Sequence, residues 1–144
     1  MGRQRQIAVL VDHFNNPRYW GVLEDADVAM PGGSPECGGS VVIYLVAGEE
    51  GRIRGLSFTG QGDIISMAAT SLILEQVMGD GLTMNEVLAL DYDTFVDRVG
   101  REVVGSRTRN ATMGLSTLKS AVRQYQKERL LTDPATAEPS CNGG

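Results

Sequence analysis

One thiol stands in the body of this chain, and its neighbours decide what it can do. Cys37 lies in the stretch Met30-Pro31-Gly32-Gly33-Ser34-Pro35-Glu36-Cys37-Gly38-Gly39, while the second cysteine, Cys141, sits in a polar C-terminal segment. A polar, glycine-flanked cysteine is placed for nucleophilic chemistry or metal ligation, whereas one in an apolar run serves as a small hydrophobe. Cys37, followed by Gly38 and Gly39, is therefore read as a candidate nucleophile or ligand on an accessible turn. A second glycine-containing turn, Thr59-Gly60-Gln61-Gly62-Asp63, ends at a carboxylate, and Arg109-Asn110 opens the last helical pattern.

Metal ligation meets a shortage of donors. Iron-sulfur clusters are held mainly by four thiolates, and structural zinc by four Cys or His. The chain has two cysteines and one histidine, His13. Cys37 and Asp63 supply two anionic ligands; a hard-metal or zinc site using Cys37, Asp63 and Asn110 with water is the remaining option. Asp63 and Asn110 also suit a plainer task. Asp and Asn are among the best helix N-caps, worth about 1 kcal/mol each, and capping is the first reading of both. His13 lies on a helix that ends two residues later and is read as locally hydrogen-bonded. Asp12 and His13 have no nucleophile or pocket beside them, so no enzyme is read from the chain.

Residues 4–14 carry Ile7, Leu10, Val11 and Phe14 at helical spacing, and Asn15-Asn16-Pro17 ends the pattern. Val28-Ala29-Met30, Val41 to Val46 and Ile53 to Thr59 read as strands, the last two joined by a hairpin turn at Gly48-Glu49-Glu50-Gly51. Ile64 to Met78 reads as an apolar helix stopped by Gly79-Asp80-Gly81. Thr83-Met84-Asn85-Glu86 has capping-box spacing, Asp93 is expected to cap a further helix, and Leu115, Leu118, Val122 and Tyr125 share one face of the last. This order predicts an α+β fold: an N-terminal helix, a three-stranded antiparallel sheet, and C-terminal helices packed on one face. Residues 1–131 are expected to form one domain, and residues 132–144 a disordered polar tail.

Composition narrows the partners. With 144 residues, 42% of them hydrophobic, the chain can bury a core of its own. A net charge of −5 with scattered basic residues disfavours nucleic acid and anionic membrane surfaces. The apolar run Ile7 to Val11 is too short for a signal peptide, so a cytoplasmic location is expected, where a Cys37–Cys141 disulfide is disfavoured. The sequence is compatible with a homo-oligomer and names no interface.

Taken in order, Asp12-His13-Phe14-Asn15-Asn16-Pro17-Arg18, Pro35-Glu36-Cys37-Gly38, Phe58-Thr59-Gly60-Gln61-Gly62 and Leu118-Lys119-Ser120-Ala121-Val122 resemble the NifU N-terminal/IscU family of iron-sulfur cluster scaffolds, over roughly residues 5 to 127. The resemblance implies three converging cysteine positions, an aspartate two residues after the first, an iron-sulfur cluster as cargo and a cysteine desulfurase as partner. Cys37 holds the first position. Gly39 stands where the aspartate falls, Asp63 at the second cysteine, Asn110 at the third, and Arg109 where histidine is frequent. Val104-Gly105-Ser106-Arg107-Thr108 replaces the Leu-Pro-Pro-Val-Lys segment that such scaffolds present to a chaperone. The expected function is cluster assembly or sulfur transfer at a degenerate site, with Cys37 as persulfide acceptor or remaining ligand. The alternative is a pseudo-scaffold that keeps fold and partner surface and binds no cluster. The role of Cys141 as a second thiol is left open.

Overall fold

The computed structural model describes residues 2–132. Helix α1 (Arg3–Asn15) precedes strands β1 (Val28–Ser34), β2 (Gly39–Ala47) and β3 (Ile53–Gly62); helices α2 (Ile64–Asp80), α3 (Met84–Leu88), α4 (Tyr92–Val99), α5 (Arg101–Val104) and α6 (Thr108–Thr132) follow. The strands form an antiparallel sheet in the order β1-β2-β3. Alternation along β2 turns Val41, Ile43 and Leu45 inward, and α6 packs over β1 and β2 while α2 packs over β3 and α6. The predicted α+β layering therefore holds, with the helices on one face of the sheet. The expected tail and Cys141 fall outside the described residues.

Strand pairing reaches further than glycine content suggested. Pro31 to Ser34, which the strand reading of Val28-Ala29-Met30 left out, is the second half of β1, paired with Gly39 to Val42. Gly60 to Gly62, expected as a turn after the strand Ile53 to Thr59, is the end of β3, paired with Gly39 to Val41. These glycines serve close packing: a Cβ on Gly32 would overlap the side chain of Thr117 on α6. Beyond the sheet edge, Phe58 donates its N–H to the Tyr19 carbonyl and accepts from Gly21 N–H, both at 2.9 Å. Trp20 sits edge-on to the Phe58 ring, with centroids 5.1 Å apart.

Two helical readings shift. The stripe on α1 does not face the core as a whole: Leu10 is buried, yet Ile7, Val11 and Phe14 are 40, 40 and 37% exposed. The helix leans on α2 along the line Leu10–His13, because a buried polar contact, not apolar periodicity, sets its rotation. Asp91, not Asp93, caps α4, accepting the Thr94 N–H at 2.9 Å. Thr83 and Glu86 form the expected capping box. Lys119, buried on α6, donates to the Leu90 carbonyl and lies 4.3 Å from the centroid of the Tyr92 ring, pinning the α3–α4 connection.

His13, expected to be hydrogen-bonded locally, is instead held by Ser71 of α2, 58 positions on. Ser71 Oγ accepts the Arg18 N–H at 2.8 Å and is hydrogen-bonded to His13 Nδ1, also at 2.8 Å. The other ring nitrogen, Nε2, lies 3.5 Å from Glu75 Oε1. Burial, aided by the Arg18 charge, lowers the His13 pKa against the opposing pull of Glu75 and Asp12.

Two outcomes follow from this packing. Unfolded histidine titrates near about pH 6.5, and the folded value is depressed. His13 therefore adds stability that is present above about pH 6.5 and is lost as pH falls through the folded value. Thermal melts from about pH 7.5 to 5.5 should show a steeper loss for wild type than for His13→Gln; parallel losses would contradict the linkage. At the α2–α6 crossing, a Cβ on Gly114 would lie 2.5 Å from Thr70 Oγ1 and 2.8 Å from its Cα. Gly114→Val should cost about 1–3 kcal/mol in urea unfolding.

Candidate functional site

The open end of the sheet brings three segments to one point. β1 and β2 are joined by the one-turn 3-10 helix Pro35–Cys37, closed by Gly38 with φ 80° and ψ 11°. That left-handed backbone turns the chain tightly enough for Gly39 to pair with Ser34 on one side and Gly62 on the other. The Gly38 carbonyl accepts the Asp63 N–H at 2.9 Å, and the Cys37 carbonyl accepts the Ser66 hydroxyl at 2.7 Å. The cysteine turn is thereby fastened to the first turn of α2.

Asp63 serves the convergence twice. As N-cap of α2 its Oδ1 accepts the Ser66 N–H at 2.7 Å, and its Oδ2 accepts the Asn110 amide at 2.6 Å. Its expected capping role is thus observed. Asn110 is not a cap: it is the third residue of α6, which begins at Thr108, so its side chain is free to reach across to the start of α2. A Cβ on Gly38 would run into the Asn110 amide and lie 2.5 Å from Asp63 Oδ2. The packing around Gly38 leaves no room for a larger residue.

Cys37 is half-buried against the edge of the core, and its Sγ accepts from the Ser34 hydroxyl at 3.5 Å. Arg109 does not direct its charge at the sulfur; it pairs with Glu36 at 2.9 Å, where the two side chains are 71 and 76% exposed. His13 stays outside the group, bound to Ser71. Sequence reasoning missed Ser34, Glu36 and Ser66. Ser34 and Ser66 carried a usable signal, each standing three residues from a key residue, Cys37 and Asp63 respectively. Glu36 carried none, because its partner is 73 positions away.

Among the described residues, no group of three or more His, Cys, Asp or Glu could hold a metal ion. Cys37 offers one thiol, Asp63 already accepts two hydrogen bonds, and Asn110 presents an N–H donor to that carboxylate. This donor set does not fit a thiolate-held cluster or a tetrahedral zinc ion. Beside the turn lies an open cavity of about 510 Å³ lined by Ser34, Pro35, Gly39, Ser40, Gln61 and Gly62.

The chain is similar to known proteins over most of its length. The iron-sulfur cluster assembly scaffold protein IscU of Thermotoga maritima is 29% identical over 111 residues, covering 77% of this chain and 75% of that protein. IscU of Aquifex aeolicus is 29% identical over 133 residues, covering 92% and 83%. The crystal structure of the N-terminal part of a nitrogen-fixing NifU-like protein from Brucella abortus superposes with a TM-score of 0.70 at 18% identity, over 88% of this chain and 99% of that one, a likeness of fold. The family model of the NifU-like N terminal domain matches residues 6–132, and the chain belongs to that family.

Proposed function

We propose that this chain serves iron-sulfur cluster assembly as a sulfur acceptor, with Cys37 carrying sulfane sulfur and with no cluster built on positions 37, 63 and 110. The observation that carries this reading is the 2.6 Å hydrogen bond from the Asn110 amide to Asp63. It ties up the carboxylate beside Cys37 with a neutral donor and leaves one thiol as the reactive group. The relatives are named as cluster assembly scaffolds, and their chemistry supplies the partner class, a cysteine desulfurase that carries a persulfide.

The transfer balances without an external oxidant. The Cys37 thiolate attacks the outer sulfur of the desulfurase persulfide, a new S–S bond forms, the old one breaks, and the electron pair leaves on the desulfurase cysteine. Gly38 and Gly39 place no side chain in the path of the approaching loop. The positive φ of Gly38 and its crowding by Asn110 and Asp63 keep the thiol turn in one conformation. A second reading, a pseudo-scaffold that binds the desulfurase and performs no transfer, draws on the way the Asp63–Asn110 and Glu36–Arg109 contacts fill the site with the protein's own groups.

Incubation with a cysteine desulfurase and L-cysteine, followed by mass spectrometry, should place one added sulfur on Cys37 and none in Cys37→Ser. Unmodified Cys37 with intact desulfurase binding would sink the acceptor reading in favour of the pseudo-scaffold. Anaerobic incubation with ferrous iron and sulfide should give no visible absorbance and no stoichiometric iron; a stable cluster would restore a scaffold role.

A further inference from the structure

We infer that Ser34 is the positioning residue for sulfur on Cys37: its hydroxyl donates to the thiol sulfur and retains the terminal sulfur of a Cys37 persulfide on the side of the open cavity. The inference rests on the sulfur-acceptor reading and adds to it a group that holds the cargo.

Ser34 occupies the cap position of the 3-10 turn Pro35–Cys37, with extended φ −167° and ψ 169°. Serine at such a position ordinarily accepts a hydrogen bond from a backbone N–H of the turn. Here it makes no such bond, and the hydroxyl is directed at Cys37 Sγ, 3.5 Å away. A capping residue has given up its cap for the sulfur. Because an ionised thiol or persulfide can only accept, the hydroxyl must be the donor once the sulfur is charged.

The donor is rigidly mounted. Ser34 is the last residue of β1 and pairs with Gly39 across the hairpin. Gly33 before it has φ +99°, and a Cβ there would lie 2.8 Å from both Met113 Sδ and Ser40 Cα. The strand end therefore has one packed position, and with it the Ser34 Cα–Cβ direction.

Space and charge on this side complete the argument. Ser34 lines the open cavity of about 510 Å³ beside the turn together with Gly39, Ser40, Gln61 and Gly62, none of them charged. The Arg109 guanidinium is engaged with Glu36. A persulfide extends about 2.05 Å beyond Sγ and carries its charge on the outer atom. The side-chain hydroxyl bonded to Sγ belongs to a residue that borders this open space.

The test uses full-length protein carrying Cys141→Ser, so that Cys37 is the sole thiol, and sodium polysulfide as the sulfur source. The Cys37 thiolate attacks a polysulfide sulfur, and the shortened polysulfide leaves with the electron pair. Loss of the added sulfur to cyanide is then followed by mass spectrometry in the Ser34, Ser34→Ala and Ser34→Thr forms, with melting curves alongside. The expected result is loss roughly three- to tenfold faster in Ser34→Ala, restored by Ser34→Thr, with melting temperatures within about 2 °C of one another. Equal rates in all three forms, or no rescue by threonine, would overturn the role of Ser34. No uptake of polysulfide sulfur by Cys37 would overturn it together with the acceptor reading. Uptake from polysulfide with a normal Ser34 effect, but none from a desulfurase, would reject the proposed partner and leave the role of Ser34 standing.

Discussion

The cap at Asp63 holds the site together. One residue ends β3, starts α2, donates its N–H to the Gly38 carbonyl and accepts from Asn110 at the start of α6. A carboxylate at a helix N-terminus gains from the exposed first-turn amides and from the helix dipole. The capping interaction orients the side chain so that its second oxygen is available to Asn110. Local helix chemistry thus becomes a tertiary fastener among a β-hairpin and two helices, and Cys37 takes its place from that fastening.

The rest of the fold serves this end of the sheet. α2 is buried from Ile65 to Leu74, the central helix between the sheet and its neighbours. Gly114 lets α6 close onto it, and Gly32 lets α6 close onto β1. Since α6 starts next to Asp63, its approach to both surfaces determines where Asn110 falls. Close helix packing and the position of the third site residue are one constraint. The structure fills that position with an internal hydrogen bond from Asn110 to Asp63.

Much of this was legible beforehand. The apolar run of β2, the length of α2 with its glycine stop and the Thr83–Glu86 capping box are local patterns, and local patterns report backbone periodicity and end chemistry directly. The Asp63 cap was legible for the same reason. Asn110 was misread as a cap because α6 starts two residues before it, and helix starts shift by a residue or two with the packing of the first turn. The exposed face of α1 was misread because apolar spacing cannot anticipate that His13 would be drawn to Ser71, 58 residues on. Glycine-rich segments were taken for loops, since composition cannot tell a glycine that turns from one that lets two backbones meet.

By itself the sequence determined the element order, the α+β class and the prominence of Cys37, because residue types and their periodicity suffice for those. Only the tertiary structure decided that Asn110 donates to Asp63, that Arg109 answers Glu36 instead of the sulfur, and that Ser34 points at Cys37. The two ion-pair and amide contacts join residues 47 and 73 positions apart, and the Ser34 contact depends on how a strand end is packed. Such partners are chosen by which surfaces close on one another, and chain-local chemistry has no means of encoding that choice in advance.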